Sequence, residues 1–457
     1  MKKGYESFIE TKRLLCEEND KFATDEYLKY DVKKGLRDAQ GNGVIVGLTE
    51  VSQVDGIIEI DGVKTEVDGI LRYRGYDIRD LTRGFVKKRY GYEEISYLIL
   101  FGNLPTEGEL EEFKAILNHY RKLPKTFTRD VIMKAANKDL MNAISREVLF
   151  LASYDDDALD NSIDNVLRQC LYLIAVFPML TVYSYHAYNH YINNQSMYIH
   201  NPDPNLSMAE NFLRMLRPDK KYTQLEATVL DLALVLHMEH GGGNNSTFTT
   251  RVTTSSGSDT YAVIAAAMSS LKGPKHGGAN LKVMDMMSDI KKHVRDPNDT
   301  EALTAYLNKI LDKEAFDGSG LIYGMGHAIY TKSDPRANVF KSFVQDLAKE
   351  KGRLKDFKYY SNIETIAPGL IMAHKHNNKS VCANVDFYSG FVYDMLDIPK
   401  ELFTPLFATA RIIGWSAHRM EELITSQKIL RPAYVNIHPA RDYVPIEERT
   451  PSVPKDE

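Results

Sequence analysis

The chain has 457 residues, of which 43% are hydrophobic and 26% charged, and its net charge is −5. These values exclude wholesale disorder and the collagen-like and disulfide-framework classes, and with both signs interspersed they leave no basic face for nucleic acid. The length exceeds what one hydrophobic core usually serves, so two unequal domains with a cleft between them are expected.

In chain order, Met1 to Lys12 carries charges without the apolar stretch of a secretory signal, and residues 1–43 have the loose helical spacing of a charged surface helix or arm. Val54 to Tyr73 alternates apolar and polar residues around Asp61-Gly62 and Asp68-Gly69, two pairs that predict small hairpins. Thr106 with Glu109 and Thr223 with Glu226 read as capping boxes that open helices. Leu171 to Tyr185 is apolar but short for a bilayer and contains Pro178, which suits a buried helix. Leu225, Val229, Leu232 and Leu236 fall on one helical face, and that helix should carry His237 and His240 at its C-terminal end. The next helix should run from Ser258-Asp259-Thr260 to Leu271 and stop at Gly273-Pro274, leaving His276 in the turn before a helix that aligns Val283, Met287, Ile290 and Val294. Thr404 as N-cap and Pro405 at the first helical position predict a late helix with Arg411, Trp415 and Glu422 on one face, before a polar tail from Pro439 to Glu457. The expected fold class is all-α, with only short hairpin strands near residues 54–73. Cys16, Cys170 and Cys382, odd in number and widely spaced, suggest reduced thiols and a cytoplasmic protein.

Three polar stretches carry the chemistry: Gly273-Pro274-Lys275-His276-Gly277-Gly278, Gly324-Met325-Gly326-His327 and Asn384-Val385-Asp386-Phe387-Tyr388-Ser389-Gly390. Each sets one acid–base side chain among glycines, where backbone turns sharply and a ligand can come close. Two histidines and a carboxylate are the minimal kit for taking a proton off carbon while holding the resulting oxyanion. Asp386, on a turn beside Phe387 and Tyr388, would be partly desolvated and so more basic. Arg336, Arg411 and Arg431 could each grip a carboxylate through paired hydrogen bonds, which suits a di- or tricarboxylate substrate. Taken singly, each has a plainer reading as a turn aspartate, a structural histidine or a solvated arginine. Together they point to an enzyme of carbon–carbon bond formation.

These segments resemble the citrate synthase family. The resemblance runs from Leu71-Arg72-Tyr73-Arg74-Gly75-Tyr76 through Leu104-Pro105-Thr106 to Arg431-Pro432, and it is most specific at residues 273–280, 324–328, 334–336 and 384–390. It implies a helical two-domain fold, with residues 1–279 and 397–457 in a large domain, 280–396 in a small one, and the active site at their hinge. The implied reaction is condensation of acetyl-CoA with oxaloacetate, followed by hydrolysis of citryl-CoA. Asp386 would take the methyl proton, His276 would donate to the thioester oxygen, and His327 would polarise the oxaloacetate ketone. His240, His327, Arg336 and Arg411 would bind oxaloacetate, with Arg431 supplied by the neighbouring subunit of a homodimer. Gly324 and Gly326 would let backbone approach the coenzyme, and Lys379 would meet a CoA phosphate. No metal, no tightly bound cofactor, and no nucleic-acid or membrane partner is implied. The chain departs from the family pattern after His240, where Gly241 stands in place of the usual Glu, and after Arg431-Pro432, where Ala433 stands in place of a second arginine. Other readings are a 2-methylcitrate synthase using propionyl-CoA, a metal-dependent hydrolase prompted by His237-Met238-Glu239-His240, and an inactive relative acting as a binding protein.

Overall fold

Asp61 and Gly62 adopt φ of 52° and 78°, the left-handed conformation a two-residue hairpin turn requires, and the chain folds back on itself there. The structure, a computed structural model, describes residues 2–38, 43–85, 88–375, 380–426 and 428–450. The hairpin pairs β1 (Ser52–Ile60) antiparallel with β2 (Val63–Tyr73), and β3 (Tyr76–Asp77) adds a short third strand. The Asp68-Gly69 pair, predicted as a second turn, lies inside β2 instead. A Cβ on Gly69 would sit 2.2 Å from the carbonyl oxygen of Ser333, and the Gly69 amide donates to that same oxygen at 3.1 Å. Glycine is needed there for close approach, and not for turning. Gly56 in β1 has the same role, since its Cβ would fall 2.4 Å from the Ile329 carbonyl.

The chain divides into two compact units, Met1–Leu48 with Arg431–Glu457, and Thr49–Leu430. The first contains α1 (Lys2–Asn19) and α2 (Thr24–Lys29), as the charged helical spacing predicted, and a C-terminal stretch with a short 3-10 turn at Ile446–Glu448.

The second unit is helical almost throughout. After α3 (Ile78–Phe85) and α4 (Gly91–Phe101), α5 (Glu107–Tyr120) begins at the predicted capping box: the Glu109 amide donates to Thr106 Oγ1 at 3.3 Å, and the Thr106 amide to Glu109 Oε2 at 2.7 Å. Next come α6 (Leu140–Leu151) and α7 (Ile163–Tyr191). Among the described residues α7 is the one helix long and apolar enough to cross a membrane, and it is largely buried inside the protein. α8 (Met208–Leu216) and α9 (Gln224–His237) start at reciprocal boxes of Ser207 with Glu210 and Thr223 with Glu226. α9 buries every residue from Val229 to His237, so its apolar side is wider than one stripe. His240, expected on this helix, lies beyond its end, in a turn that Gly241 makes at φ 86°.

α10 (Asn245–Ser255) and α11 (Thr260–Leu271) lead to the turn that holds His276. α12 (Ala279–His293), α13 (Thr300–Leu311), α14 (Pro335–Glu350), α15 (Leu354–Lys375) and α16 (Val385–Met395) pack mainly on one another, within the span expected as a small domain. α14 also packs on α9 and β2. α17 (Phe403–Thr425) starts one residue before the predicted cap, so Thr404 is already helical and its hydroxyl donates to the Gly277 carbonyl at 3.1 Å. Arg411, Trp415 and Glu422 are buried where α17 crosses α7, α9 and α10.

Candidate active site

One wall of the site is built by a backbone strap. Met325 forms a β-bridge with Ala383, the Gly326 amide donates to the Cys382 carbonyl at 2.7 Å, and the Asn384 amide donates to the Gly324 carbonyl at 2.9 Å. Asn384 also caps α16, accepting from the Asp386 amide at 3.0 Å, while its Nδ2 donates to the Gly326 carbonyl at 2.8 Å. His327 and Asp386 are thereby carried by two segments tied together. Asp386 sits in the first turn of α16, where the positive end of the helix dipole faces a carboxylate, and not on a free turn.

His327 is held by its own loop. Its Nδ1 accepts from the amides of Ile329 and Tyr330 at 3.1 and 3.2 Å, so a neutral ring carries its proton on Nε2. Arg336, in the first turn of α14, is gripped by Asp334 through Nε at 3.0 Å and Nη2 at 2.8 Å. Asp334 also accepts from the Val385 amide at 3.1 Å, which locks α14 to α16.

The opposite wall comes from the end of α9, from α10 and from α17. Arg411 is fully buried on α17; its Nε donates to the His237 carbonyl at 2.7 Å, its guanidinium lies 4.7 Å from the Phe407 ring centroid, and its Nη1 has no hydrogen-bond partner among the described residues. A buried, unpartnered guanidinium nitrogen is a ready donor for an anion. The His240 ring stands edge-on to His327 at 5.1 Å between centroids and lies 3.2 Å from the Tyr330 hydroxyl through Nε2. His276 Nε2 lies 3.0 Å from Ser246 Oγ, which also receives the Trp415 indole N–H at 3.1 Å and lies 2.9 Å from Asn244 Oδ1. Behind His240, Glu239 Oε1 accepts from Ser52, the Gly241 amide and His418, and His418 in turn meets Arg251.

The electrostatics divide the groups by role. Burial, reinforced by Arg411, holds His276 down at about 4, and burial with Arg336 holds His327 at about 4, so both rings are neutral donors at neutral pH. His240 is pushed well below its ordinary range by burial and then by Arg336. Burial raises Asp386 to about 6 against the pull of Arg336, which makes it a better base than a solvated carboxylate. Burial also lowers Arg411 to about 10 although Glu239 opposes it, and the guanidinium stays charged.

The structure therefore brings together His240, His276, His327, Arg336, Asp386 and Arg411, all on the second unit. Lys379 lies outside the described residues. Arg431 is exposed and belongs to the first unit. Gly324 has φ 82°, and its Cβ would lie 2.8 Å from the Phe387 ring, so packing against α16 accounts for it, whereas at Gly326, with φ 93°, a Cβ would meet only Val381 Cγ1, at 4.0 Å. His237 does not point to metal chemistry: its Nδ1 bonds the Ala233 carbonyl at 2.7 Å within α9, and no group of three metal-ligating side chains occurs among the described residues. A separate cavity of about 840 Å³ near Tyr185, His186, Arg217 and Lys351 contains none of the cluster. Sequence reasoning missed Ser246, Asp334, Tyr330 and the Glu239–His418 pair as parts of the site. Tyr330 stands three residues after His327 and Asp334 two before Arg336, so proximity to the motifs was the available signal. His418 had none.

A family profile described as "Citrate synthase, C-terminal domain" matches residues 39–433. The chain is 36% identical over 420 residues to a citrate synthase of Synechocystis, covering 91% of this chain and 94% of that one. It is 32% identical over 381 residues to a 2-methylcitrate synthase of Shewanella oneidensis, covering 83% and 92%. Among solved structures it is similar to the citrate synthase of Thermoplasma acidophilum in a ternary complex with carboxymethyl coenzyme A and oxaloacetate, with a TM-score of 0.73, 29% identity, and coverage of 91% and 99%.

Proposed function

The chain belongs to the citrate synthase family, and from that premise we infer how its own residues condense acetyl-CoA with oxaloacetate and hydrolyse the citryl-CoA that results. Arg336 and Arg411 take the oxaloacetate carboxylates, with His240 as a further donor. The observation that carries this assignment is the buried Nη1 of Arg411, a charged donor with no hydrogen-bond partner among the described residues, in a site that also holds the buried Arg336. The neutral His327 donates from Nε2 to the ketone oxygen and protonates the alkoxide that forms there. Asp386 removes a methyl proton from acetyl-CoA. The neutral His276 donates its ring N–H to the thioester oxygen, so that base and oxyanion donor act together on a very weak carbon acid. Water exclusion around these buried groups strengthens each interaction and protects the thioester.

The reaction takes acetyl-CoA as a substrate and asks for no tightly bound cofactor. A homodimer, with Arg431 of one subunit completing the site of the other, accompanies the reading. Large apolar side chains left exposed on the first unit support it, among them Ile45 at 91%, Leu48 at 94% and Tyr434 at 93%. Cytoplasmic residence is proposed from the three free thiols. A hinge between residues 280–396 and the rest of the second unit is likewise proposed, and Gly326 is the glycine offered to the coenzyme.

The 2-methylcitrate reading is favoured by the Shewanella oneidensis relative. One experiment separates the two: release of free CoA thiol with oxaloacetate and either acetyl-CoA or propionyl-CoA. Preference for acetyl-CoA supports the stated reaction, preference for propionyl-CoA reassigns it to the methylcitrate branch, and release from neither overturns both.

A further inference from the structure

We propose that Tyr330 is a positioning residue for the oxaloacetate site: its hydroxyl donates to His240 Nε2 and so keeps the ring proton of His240 on Nδ1, facing the substrate. The proposal rests on the reading that His240 meets a carboxylate of oxaloacetate.

Tyr330 is only 1% exposed, and its hydroxyl lies within reach of two acceptors, His240 Nε2 at 3.2 Å and the Ile70 carbonyl at 3.4 Å. The hydroxyl has one proton, and the nearer acceptor is the histidine. A neutral imidazole has a single N–H, so a ring that accepts on Nε2 donates from Nδ1. The alternative, with the hydroxyl proton on Ile70, would leave Nδ1 as a lone pair that repels a carboxylate. Burial and the charge of Arg336 keep His240 neutral, so it cannot escape the choice by holding two protons.

Other contacts of Tyr330 reach the same substrate groups. Its ring stacks on His327 at 4.7 Å between centroids and 24° between planes, and its amide donates to His327 Nδ1. The Arg336 guanidinium lies 5.8 Å from its centroid. Tyr330 therefore reaches three of the groups assigned to oxaloacetate, and its ring packs on β2 at Gly69.

The test is nitrogen NMR of the intact enzyme labelled with 15N-histidine and saturated with oxaloacetate, with His240 assigned through His240→Asn. The expected spectrum shows His240 protonated on Nδ1; protonation on Nε2 overturns the proposal without any further variant. Tyr330→Phe keeps the ring and removes only the hydroxyl, so it should shift the His240 tautomer and raise the oxaloacetate dissociation constant about tenfold, while His327 keeps its signal. Unchanged tautomer and affinity in Tyr330→Phe also overturn it. If His240→Asn binds oxaloacetate as tightly as the parent, the carboxylate reading of His240 itself fails. If that variant binds weakly and Tyr330→Phe does not, only the role of Tyr330 falls.

Discussion

Asp386, proposed as the base, shows how placement changes the chemistry of one side chain. Its carboxyl is the same group that titrates near the surface of any protein, but burial raises it to about 6 despite Arg336. The sign follows directly: below about 6 the group is protonated and cannot accept a proton, so kcat/KM for acetyl-CoA should fall tenfold per pH unit on that side. His276 and His327, both near 4, remain neutral across this range and add no limb of their own. A pH profile of kcat/KM checks this, and a lower limb near 4 would remove Asp386 as the base. Asp386, His276 and His327 were legible as candidates from their short motifs. The contact of His276 with Ser246 was not, because the two stand thirty positions apart and only folding sets them side by side.

Single elements carry two further consequences. β2 approaches the 327–335 loop so closely that Gly69 has no room for a methyl group, with Ser333 oxygen, Pro335 Cδ and Tyr330 Cδ1 all within 2.8 Å of where its Cβ would stand. Gly69→Ala should push that loop away, cost about 1–3 kcal/mol of stability and raise the KM for oxaloacetate far more than that for acetyl-CoA. Thermal unfolding with steady-state kinetics measures both, and an unchanged oxaloacetate KM would separate the hairpin from the site. Between α6 and α7, Glu147 is buried with Oε1 accepting from Ser184 at 2.7 Å and Oε2 without a hydrogen-bond partner among the described residues, and burial pushes its carboxyl from an ordinary 4.5 up to about 8. A raised folded value means its contribution to stability is full below about 4.5 and is lost as pH rises through 8. Glu147→Gln cannot ionise, so its unfolding free energy should exceed the parent's at pH 8.5 by an amount on the order of a few kcal/mol, read as a higher melting temperature, and the gap should close by pH 5. Equal pH dependence in the two proteins would contradict it. The capping boxes at Thr106 and Thr223 were legible because a box is local, whereas Gly69 was misread as a turn because the atoms that demand a glycine there lie more than 260 residues away.

At the scale of the whole molecule, the proposed exchange of Arg431 between subunits makes a sharp prediction. Asp386→Ala and Arg431→Ala proteins, each inactive alone, should recover roughly a quarter of the parental activity when unfolded and refolded together, since half the dimers are mixed and each has one intact site. If Arg431 serves its own subunit, mixing restores nothing. Fold class and the three candidate acid–base residues were legible in the sequence alone, because caps, apolar periodicity and short polar motifs act over a few residues. The tertiary structure decided which side chains share a site and in what protonation state. His240 left its helix, Asp334 tied α14 to α16, and Glu239 met His418 across 179 residues, contacts set by packing between segments that no local pattern connects.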